Sequence, residues 1–241
     1  DNVAANLLKD YGYKYFAYYI GTVKRPNFPG ADTLIAGQYT DVQGNGVSVR
    51  EFARNEAYGA ASGALSYWWI GAINKVPVAA MPESVFANLW AWHVWGPGIY
   101  HYPGNHVTID GYVFRGKISV ADSYSGAYEA SDYYAKDFLM RNANIQGACV
   151  GIKPSTFSWN PSYPGGVQVI RDSYLRNVRN VRLLNLFASA PDALGLGPRK
   201  VTLRNLQVNT AVTPPPACGG PVRALLQFWS ASPVRHLVQN D

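Results

Sequence analysis

The stretch Val107-Thr108-Ile109-Asp110-Gly111-Tyr112-Val113-Phe114-Arg115-Gly116 contains the clearest copy of a short motif that recurs along the chain. The motif is an apolar residue, any residue, a small polar residue or glycine, two residues of any type, and a second apolar residue, here Ile109 to Phe114. Further copies begin at Phe52, Phe86, Met140, Ile170 and Leu203, and in the copy at Phe52 the asparagine stands one place later. The copies begin about 23 to 34 residues apart, a spacing typical of solenoid proteins.

The residue types in these copies favour strands over helices. Each copy is a short β-branched or aromatic run bounded by Asn, Asp or Gly, without the i, i+3, i+4, i+7 apolar spacing of a helix. So short a strand cannot bury its apolar face alone and needs a neighbour stacked above and below it. We therefore predict an all-β fold, a right-handed parallel β-helix solenoid with projecting loops, in which residues 1–241 form a single domain.

The two ends and two internal segments depart from the motif. The opening segment, residues 1–21, resembles a coil cut part-way through, with Phe16 to Ile20 as its next strand. We therefore expect the chain to be a segment of a longer protein, its first coil completed by another chain or domain. Residues Lys117 to Asp137 and Pro154 to Gly166 are predicted to be projecting loops, which commonly build the binding face of a repeat protein.

Composition narrows the classes of partner. Charged residues make up 15% of the chain and aromatic residues 14%, so the surface is polar mainly through uncharged side chains and aromatic edges, which suits sugars. The 21 Lys and Arg residues outnumber the 15 Asp and Glu residues, which favours an acidic polymer. Dense basic clusters and recognition motifs are missing, so no nucleic-acid partner is expected. No apolar stretch reaches 18 residues, so no membrane span is expected.

The aromatic residues between positions 68 and 106 are the strongest local feature. Alternation along a strand sends about half of them outward, where rings in register would form a platform for stacking sugars. The predicted substrate-binding aromatic residues are Trp68, Trp69, Trp92 and Tyr100. The alternative is that these rings fill the interior of wide coils.

Three arginines occupy one position of the motif. Arg141, Arg171 and Arg204 each follow the first apolar residue of consecutive copies, and Asp110 holds that position one copy earlier. Guanidinium groups stacked in this way need an anion or interleaved carboxylates, and an acidic polysaccharide would supply the anion. The alternative is that Asp172 and neighbouring Asn side chains satisfy the arginines on a solvated face.

Candidates for catalysis, metal binding and disulfide formation are fewer. His101, between Tyr100 and Tyr102, is a candidate general base if it faces a groove, and a hydrogen-bonded structural residue otherwise. Asp122 and Asp132, in the segment that also holds Glu129, are candidate ligands for calcium or a carboxylate pair. Cys149 and Cys218 either pair, if the protein is secreted, or are two separate core residues.

The run VTIDGYVFRG resembles the coil consensus of the right-handed parallel β-helix proteins of the pectate-lyase-like class, and the resemblance covers residues 47–210. The phrase FARNEAYGAASGALSYWW, residues 52–69, is similar to coils of extracellular β-helix proteins related to the hyaluronan-degrading cell-surface group. No catalytic signature of a lyase or glycosidase family matches residue by residue.

The resemblance implies a secreted or cell-surface protein that binds a polysaccharide and depolymerises it by β-elimination or hydrolysis. In a lyase, Lys153 would neutralise the uronate carboxylate while His101 or a tyrosine such as Tyr102 removes the proton. The alternative is a non-catalytic adhesive or structural segment of a larger extracellular protein.

Overall fold

A computed structural model describes the larger part of the chain. The described residues are 1–6, 16–20, 48–70, 82–94, 96–104, 106–116, 126–130, 137–154, 167–185, 200–213, 216–218 and 224–230. Their regular structure is β-strand, apart from a single 3-10 turn at Pro216–Cys218. Within these ranges no helix is long and apolar enough to cross a membrane.

The strands repeat in a regular order. A typical coil has two short strands followed by one more strand, which we call the third strand of the coil. In chain order they are β1 Val3–Ala5, β2 Tyr18–Ile20, β3 Phe52–Ala53, β4 Glu56–Tyr58, β5 Leu65–Ile70, β6 Ser84–Ala87, β7 Trp90–Trp92, β8 Ile99–Gly104, β9 Val107–Asp110, β10 Val113–Arg115, β11 Gly126–Ala130, β12 Asp137–Arg141, β13 Asn144–Gln146, β14 Val150–Lys153, β15 Val167–Arg176, β16 Arg179–Asn185, β17 Lys200–Val208 and β18 Ala224–Ser230. The strands β15 and β17 are long enough to occupy both short-strand positions of their coils.

Every described strand pair is parallel, and each strand pairs with its equivalent in the next coil. The third strands form a seven-stranded sheet in the order β18-β16-β14-β11-β8-β5-β2. The short strands form two stacks, β3-β6-β9-β12 and β1-β4-β7-β10-β13, which join at β15 and continue into β17. The prediction of an all-β parallel β-helix is therefore confirmed.

The register confirms the repeat read from the sequence. The first apolar residues of the motif are aligned in one column: Phe52, Phe86, Ile109, Met140, Ile170 and Leu203. The second apolar residues form another column, in which Ala91, Phe114, Ile145 and Leu175 are buried. Both columns face the interior and build one continuous core.

A left-handed turn explains how two apolar residues five positions apart can face the same interior. The third residue of each motif copy has a positive φ angle: Arg54 54°, Asn88 51°, Gly111 69°, Asn142 54°, Asp172 51° and Asn205 48°. This conformation turns the chain between the two short strands, so the in-and-out alternation restarts after the turn. We call this column the corner. Asn, Asp and Gly adopt it most readily, and they hold this position in five of the six motif copies, with Arg54 in the sixth.

Contacts between coils hold the corner residues in place. The Asn88 amide donates to the carbonyl of Asp110, and the Gly111 amide donates to the carbonyl of Arg141. At Gly111 a Cβ atom would lie 2.4 Å from Oδ1 of Asn88, too close for a non-bonded contact. At that level the neighbouring Asn88 side chain would have to move to admit any residue larger than glycine.

Two expectations about the segments outside the motif need correction or completion. The predicted loop at Lys117 to Asp137 contains a strand, β11, which pairs with β8 and β14 and buries Tyr128. The opening segment supplies β1 and β2, which pair with β4 and β5, so the expected partial coil is present. Most of the second predicted loop, 155–166, lies outside the described residues.

The two cysteines form a disulfide. Cys149 precedes β14 and Cys218 ends the turn after β17, and their Cα atoms are 5.3 Å apart. Both are buried with Val178 and Val212 in a small cluster outside the main core. The sequence leaves open whether the two cysteines pair or are separate core residues, and in the structure they pair.

Replacing Asn142 with alanine tests the corner. Alanine loses the left-handed preference and the bond from Nδ2 to Oδ1 of Asp110 at 2.8 Å, so we expect the free energy of unfolding to fall by about 1–2 kcal/mol. Urea unfolding followed by circular dichroism measures it. Asn142→Gly removes the same hydrogen bond without the steric cost, so it should be less destabilising than alanine. Equal losses in both variants would mean that the hydrogen bond, not the turn, is what matters.

Candidate functional site

His101 lies inside the coil rather than in a groove. Its side chain is 1% exposed. Nδ1 is 2.7 Å from the Tyr128 hydroxyl and Nε2 is 3.2 Å from the carbonyl oxygen of Gly104. Its ring also packs 4.5 Å from the Tyr67 ring, measured between centroids. His101 therefore does not face a groove, as a general base acting on a polymer would have to. Its burial and contacts fit the alternative of a hydrogen-bonded structural histidine.

The surrounding interior is lined with aromatic rings. Tyr67 stacks on Phe86 with ring centroids 4.9 Å apart, and Tyr128 stacks on Phe138 at 4.8 Å. Burial raises the pKa of the Tyr128 hydroxyl well above its usual value, so this group stays protonated and available to His101. Aromatic residues therefore fill the interior of the coils, but these four rings are not among the predicted platform residues.

Lys153 faces outward from the third-strand sheet. Its Nζ lies 2.6 Å from Oε1 of Glu129, and the two side chains are 18% and 28% exposed. The register places Glu129 between Tyr100 and Lys153 in one outward column. His101 and Lys153 therefore lie on opposite sides of the same sheet, and the structure does not bring these two predicted catalytic residues together.

Arg182 continues this outward column. Ile152 pairs with Val181, which places Arg182 beside Lys153. Burial lowers the pKa of Arg182, as does the neighbouring Arg179, while the Glu129 carboxylate opposes that shift. Glu129 thus lies among cationic groups on a half-buried face.

A second outward face carries the most exposed aromatic rings of the short strands. Trp90 is 46% exposed and Tyr58 is 45% exposed. Trp90 lies edge-on to Trp92 with ring centroids 5.8 Å apart, and Tyr58 lies edge-on to His93 at 5.9 Å. Tyr58 and Trp92 are register partners in adjacent coils. We call these four residues the aromatic patch.

The predicted platform residues do not share one surface. Trp92 belongs to the aromatic patch, whereas Tyr100 lies on the third-strand sheet, where its ring stacks on Phe16 at 6.1 Å. The backbones of Trp68 and Tyr102 pair between β5 and β8, and Trp69 also lies in β5. The side chains of Trp68, Trp69 and Tyr102 lie outside what the structure describes.

The selection from the sequence missed Trp90 and Tyr58. Trp90 is the fifth residue of the motif, which the turn at the corner sends outward between buried Leu89 and buried Ala91. Tyr58 stands one residue beyond the second apolar position of its copy and is outward for the same reason. The signal was the alternation counted from the corner residue.

The predicted arginine column is present. Arg141 pairs with Asp110 and with Arg171, and Arg171 pairs with Arg204, in the backbone register of successive coils. Arg141 Nε donates to Oδ2 of Asp110 at 2.8 Å. Asp110, which holds the column position one coil earlier, therefore satisfies part of the column as an interleaved carboxylate.

Asp172 serves the same purpose at the corner. It accepts hydrogen bonds from Arg171 Nη1 and, at 2.8 Å, from Asn205 Nδ2. These two bonds, with the Asn205 bond the larger influence, lower the pKa of the Asp172 carboxyl. Asp172 is thus a carboxylate at neutral pH, at a column position where its neighbours Asn142 and Asn205 are amides.

The structure does not describe the candidate metal ligands. Asp122 and Asp132 lie outside the described residues. In the part of the chain that is described, no three His, Cys, Asp or Glu side chains are grouped closely enough to hold a metal ion. Calcium binding by Asp122 and Asp132 stays a prediction.

Comparisons with protein-family models, curated proteins and solved structures give no match to this chain. The fold assignment therefore depends on the strand pairing described above.

The structural role of His101 is tested by Tyr128→Phe. Loss of the hydroxyl leaves Nδ1 of His101 buried without this partner, so the free energy of unfolding should fall by about 1–3 kcal/mol. Tyr19→Phe, at a residue 63% exposed, is the matched control and should change stability by less than about 0.5 kcal/mol. Chemical denaturation measures both, and equal stability of Tyr128→Phe and wild type would contradict the role.

Proposed function

We propose that this chain is a polysaccharide-binding β-helix protein and that the aromatic patch is its sugar-binding surface. The observation that carries the proposal is the exposure of Trp90 and Tyr58, each close to half, beside Trp92 on two consecutive coils. Large aromatic side chains are normally covered, and a group of exposed ones marks a binding surface. The C–H face of a sugar ring stacks on such rings.

The column that contains Tyr58 and Trp92 continues as polar side chains. Trp92 is followed in register by Arg115, Gln146 and Arg176. Gln146 Nε2 donates to Oδ1 of Asn144 at 2.8 Å, so amide groups are fixed on this face. Successive coils are spaced about 4.8 Å apart, which offers a polymer a regular series of stacking and hydrogen-bonding positions.

An acidic polysaccharide is the substrate class that charge favours. The chain carries a formal net charge of +6, and Arg176 is exposed on the same face as the patch. Positive surface potential raises the local concentration of an anionic polymer and its rate of association.

A secreted or cell-surface location is part of the proposal. The Cys149–Cys218 disulfide supports it, because disulfides persist mainly in oxidising compartments. The resemblance of VTIDGYVFRG to the pectate-lyase-like class points the same way.

Trp90→Ala tests the binding surface. Removing one stacking ring should weaken binding to a polysaccharide at least several-fold, measured by affinity electrophoresis or calorimetry across a panel of neutral and acidic polymers. Tyr19→Ala, which removes an exposed ring from the third-strand sheet, is the control and should leave binding unchanged. If no polymer is retained by the wild-type chain, the alternative of an adhesive or structural segment is the better one.

Cleavage is a second candidate function, and the Glu129–Lys153 pair favours it. In β-elimination a cation neutralises the uronate carboxylate and a base takes the adjacent proton. The electron pair forms a C=C bond while the C–O bond to the leaving sugar breaks, and the leaving oxygen takes a proton from water. Lys153 supplies a cation on the outward face, and the Glu129 carboxylate in contact with it would be the base that takes the proton. Buried His101 cannot reach a polymer there, and Tyr102 stays a predicted participant.

Lys153→Gln tests cleavage. Unsaturated uronate ends, detected by their ultraviolet absorbance, should form with the wild-type chain and be lost by at least a hundredfold in the variant. Trp90→Ala should keep turnover at saturating polymer, since it removes binding alone. Reducing ends without that absorbance would indicate hydrolysis instead, and product formed at the wild-type rate by Lys153→Gln would exclude Lys153.

A further inference from the structure

The arginine column has more cations than carboxylates at its C-terminal end. Arg141 is bonded to Asp110, and Arg171 is bonded to Asp172. Arg204 follows Arg171 in register, and it makes no salt bridge to a carboxylate among the described residues. The Arg204 charge contributes to the lowered pKa of Asp172, so Asp172 lies within the field of both arginines.

A surface depression of about 330 Å³ lies at this place. The described residues that line it are Arg171, Asp172, Arg204 and Asn205, all polar or charged. The volume is at the lower end of the range for small-molecule sites, which fits one sugar unit better than a larger ligand. Arginine is the side chain best suited to hold a carboxylate or sulfate, since its planar donors match two anionic oxygens.

We propose that this depression binds the carboxylate or sulfate group of an acidic sugar unit, held by Arg204 and Arg171 together with the Asn205 amide. The inference rests on the proposed polysaccharide binding and adds the anionic subsite to it. In the unbound chain, Asp172 already accepts a hydrogen bond from the Arg171 guanidinium. It therefore competes with the ligand's anion and limits the affinity of the subsite.

The position of the subsite gives the direction of the bound polymer. The arginine column and the Trp90 column flank the same corner, because Arg171 and Tyr174 are three residues apart and Tyr174 continues the Trp90 column. From the β7 level to the β15 level the stack advances three coils, or about 14 Å at about 4.8 Å each. A polymer stacked on the aromatic patch therefore reaches the arginines by running parallel to the axis of the stack.

A matched pair of ligands tests the charge. Polygalacturonate and its methyl ester share a backbone and differ in charge, and dextran sulfate and dextran form the corresponding sulfate pair. Arg204→Gln should weaken binding of the anionic member about tenfold, the value of one charged hydrogen bond, and leave the neutral member unchanged. Asp172→Asn removes the competing carboxylate, and asparagine already holds this left-handed conformation at other corner positions. It should therefore strengthen binding of the anionic member several-fold.

A charge-matched control separates the subsite from general attraction. Arg54→Gln removes an exposed arginine from the other end of the same corner, where it is bonded to Asp1. Equal weakening by Arg54→Gln and Arg204→Gln, or no strengthening by Asp172→Asn, would overturn the subsite.

Failure of the subsite and failure of the proposed function give different results. If Trp90→Ala abolishes binding of both members of a pair while the arginine variants change nothing, the result supports sugar binding by the aromatic patch and contradicts the anionic subsite. If no member of either pair binds the wild-type chain, both fall. Trp90, Arg54 and Arg204 are exposed, so thermal unfolding should be unchanged in their variants. Asp172→Asn should unfold at a slightly lower temperature, because the carboxylate accepts bonds from Arg171 and Asn205.

Discussion

The left-handed turn at the corner is the constraint on which the rest of the structure depends. It lets two apolar residues of a six-residue motif face one interior, and it aims the residues between them in defined directions. Each corner is fixed by amide-to-carbonyl bonds to the coil beside it, as at Asn88 and Gly111. An isolated coil would lack these bonds to a neighbouring coil, so the corner turns, the core and the outward columns form together.

Much of the fold follows from the motif, because the corner residue is Asn, Asp or Gly in every copy except the first, where it is Arg54. The register of the apolar and arginine columns could be predicted for that reason, and it is confirmed. The strand β11 could not, since its interior position is held by a single large residue, Tyr128, among small ones. The inward position of His101 could not be predicted from the sequence. Its neighbours Tyr100 and Tyr102 show that β8 alternates, but they do not show which of its two sides faces the interior. That side is decided by contact with Tyr67 and Tyr128 in other coils.

The candidate surfaces are properties of columns rather than of neighbouring residues in the sequence. Tyr58 and Trp92 are far apart in the chain and adjacent in the sheet, and the same is true of Glu129 and Lys153. Trp92, Lys153 and the arginines could be selected from the sequence by residue type, but dividing them among faces required the position of each strand relative to the corner. The aromatic patch and the Glu129–Lys153 pair lie on different sheets, so binding and any chemistry at that pair are separable by substitution.

The disulfide gives the stack a mechanical asymmetry. A one-dimensional array opens from its ends, where a coil has one neighbour instead of two. The bridge between Cys149 and Cys218 closes a loop of 69 residues that includes β15, β16 and β17, so these strands cannot peel away from the coil of β14 by unwinding. The chain has two cysteines and both are used here, so the coil of β1 and β2 has no such bridge. Under tension or heat, the intact bridge would keep β15, β16 and β17 attached to the coil of β14 even after their hydrogen bonds to it had broken.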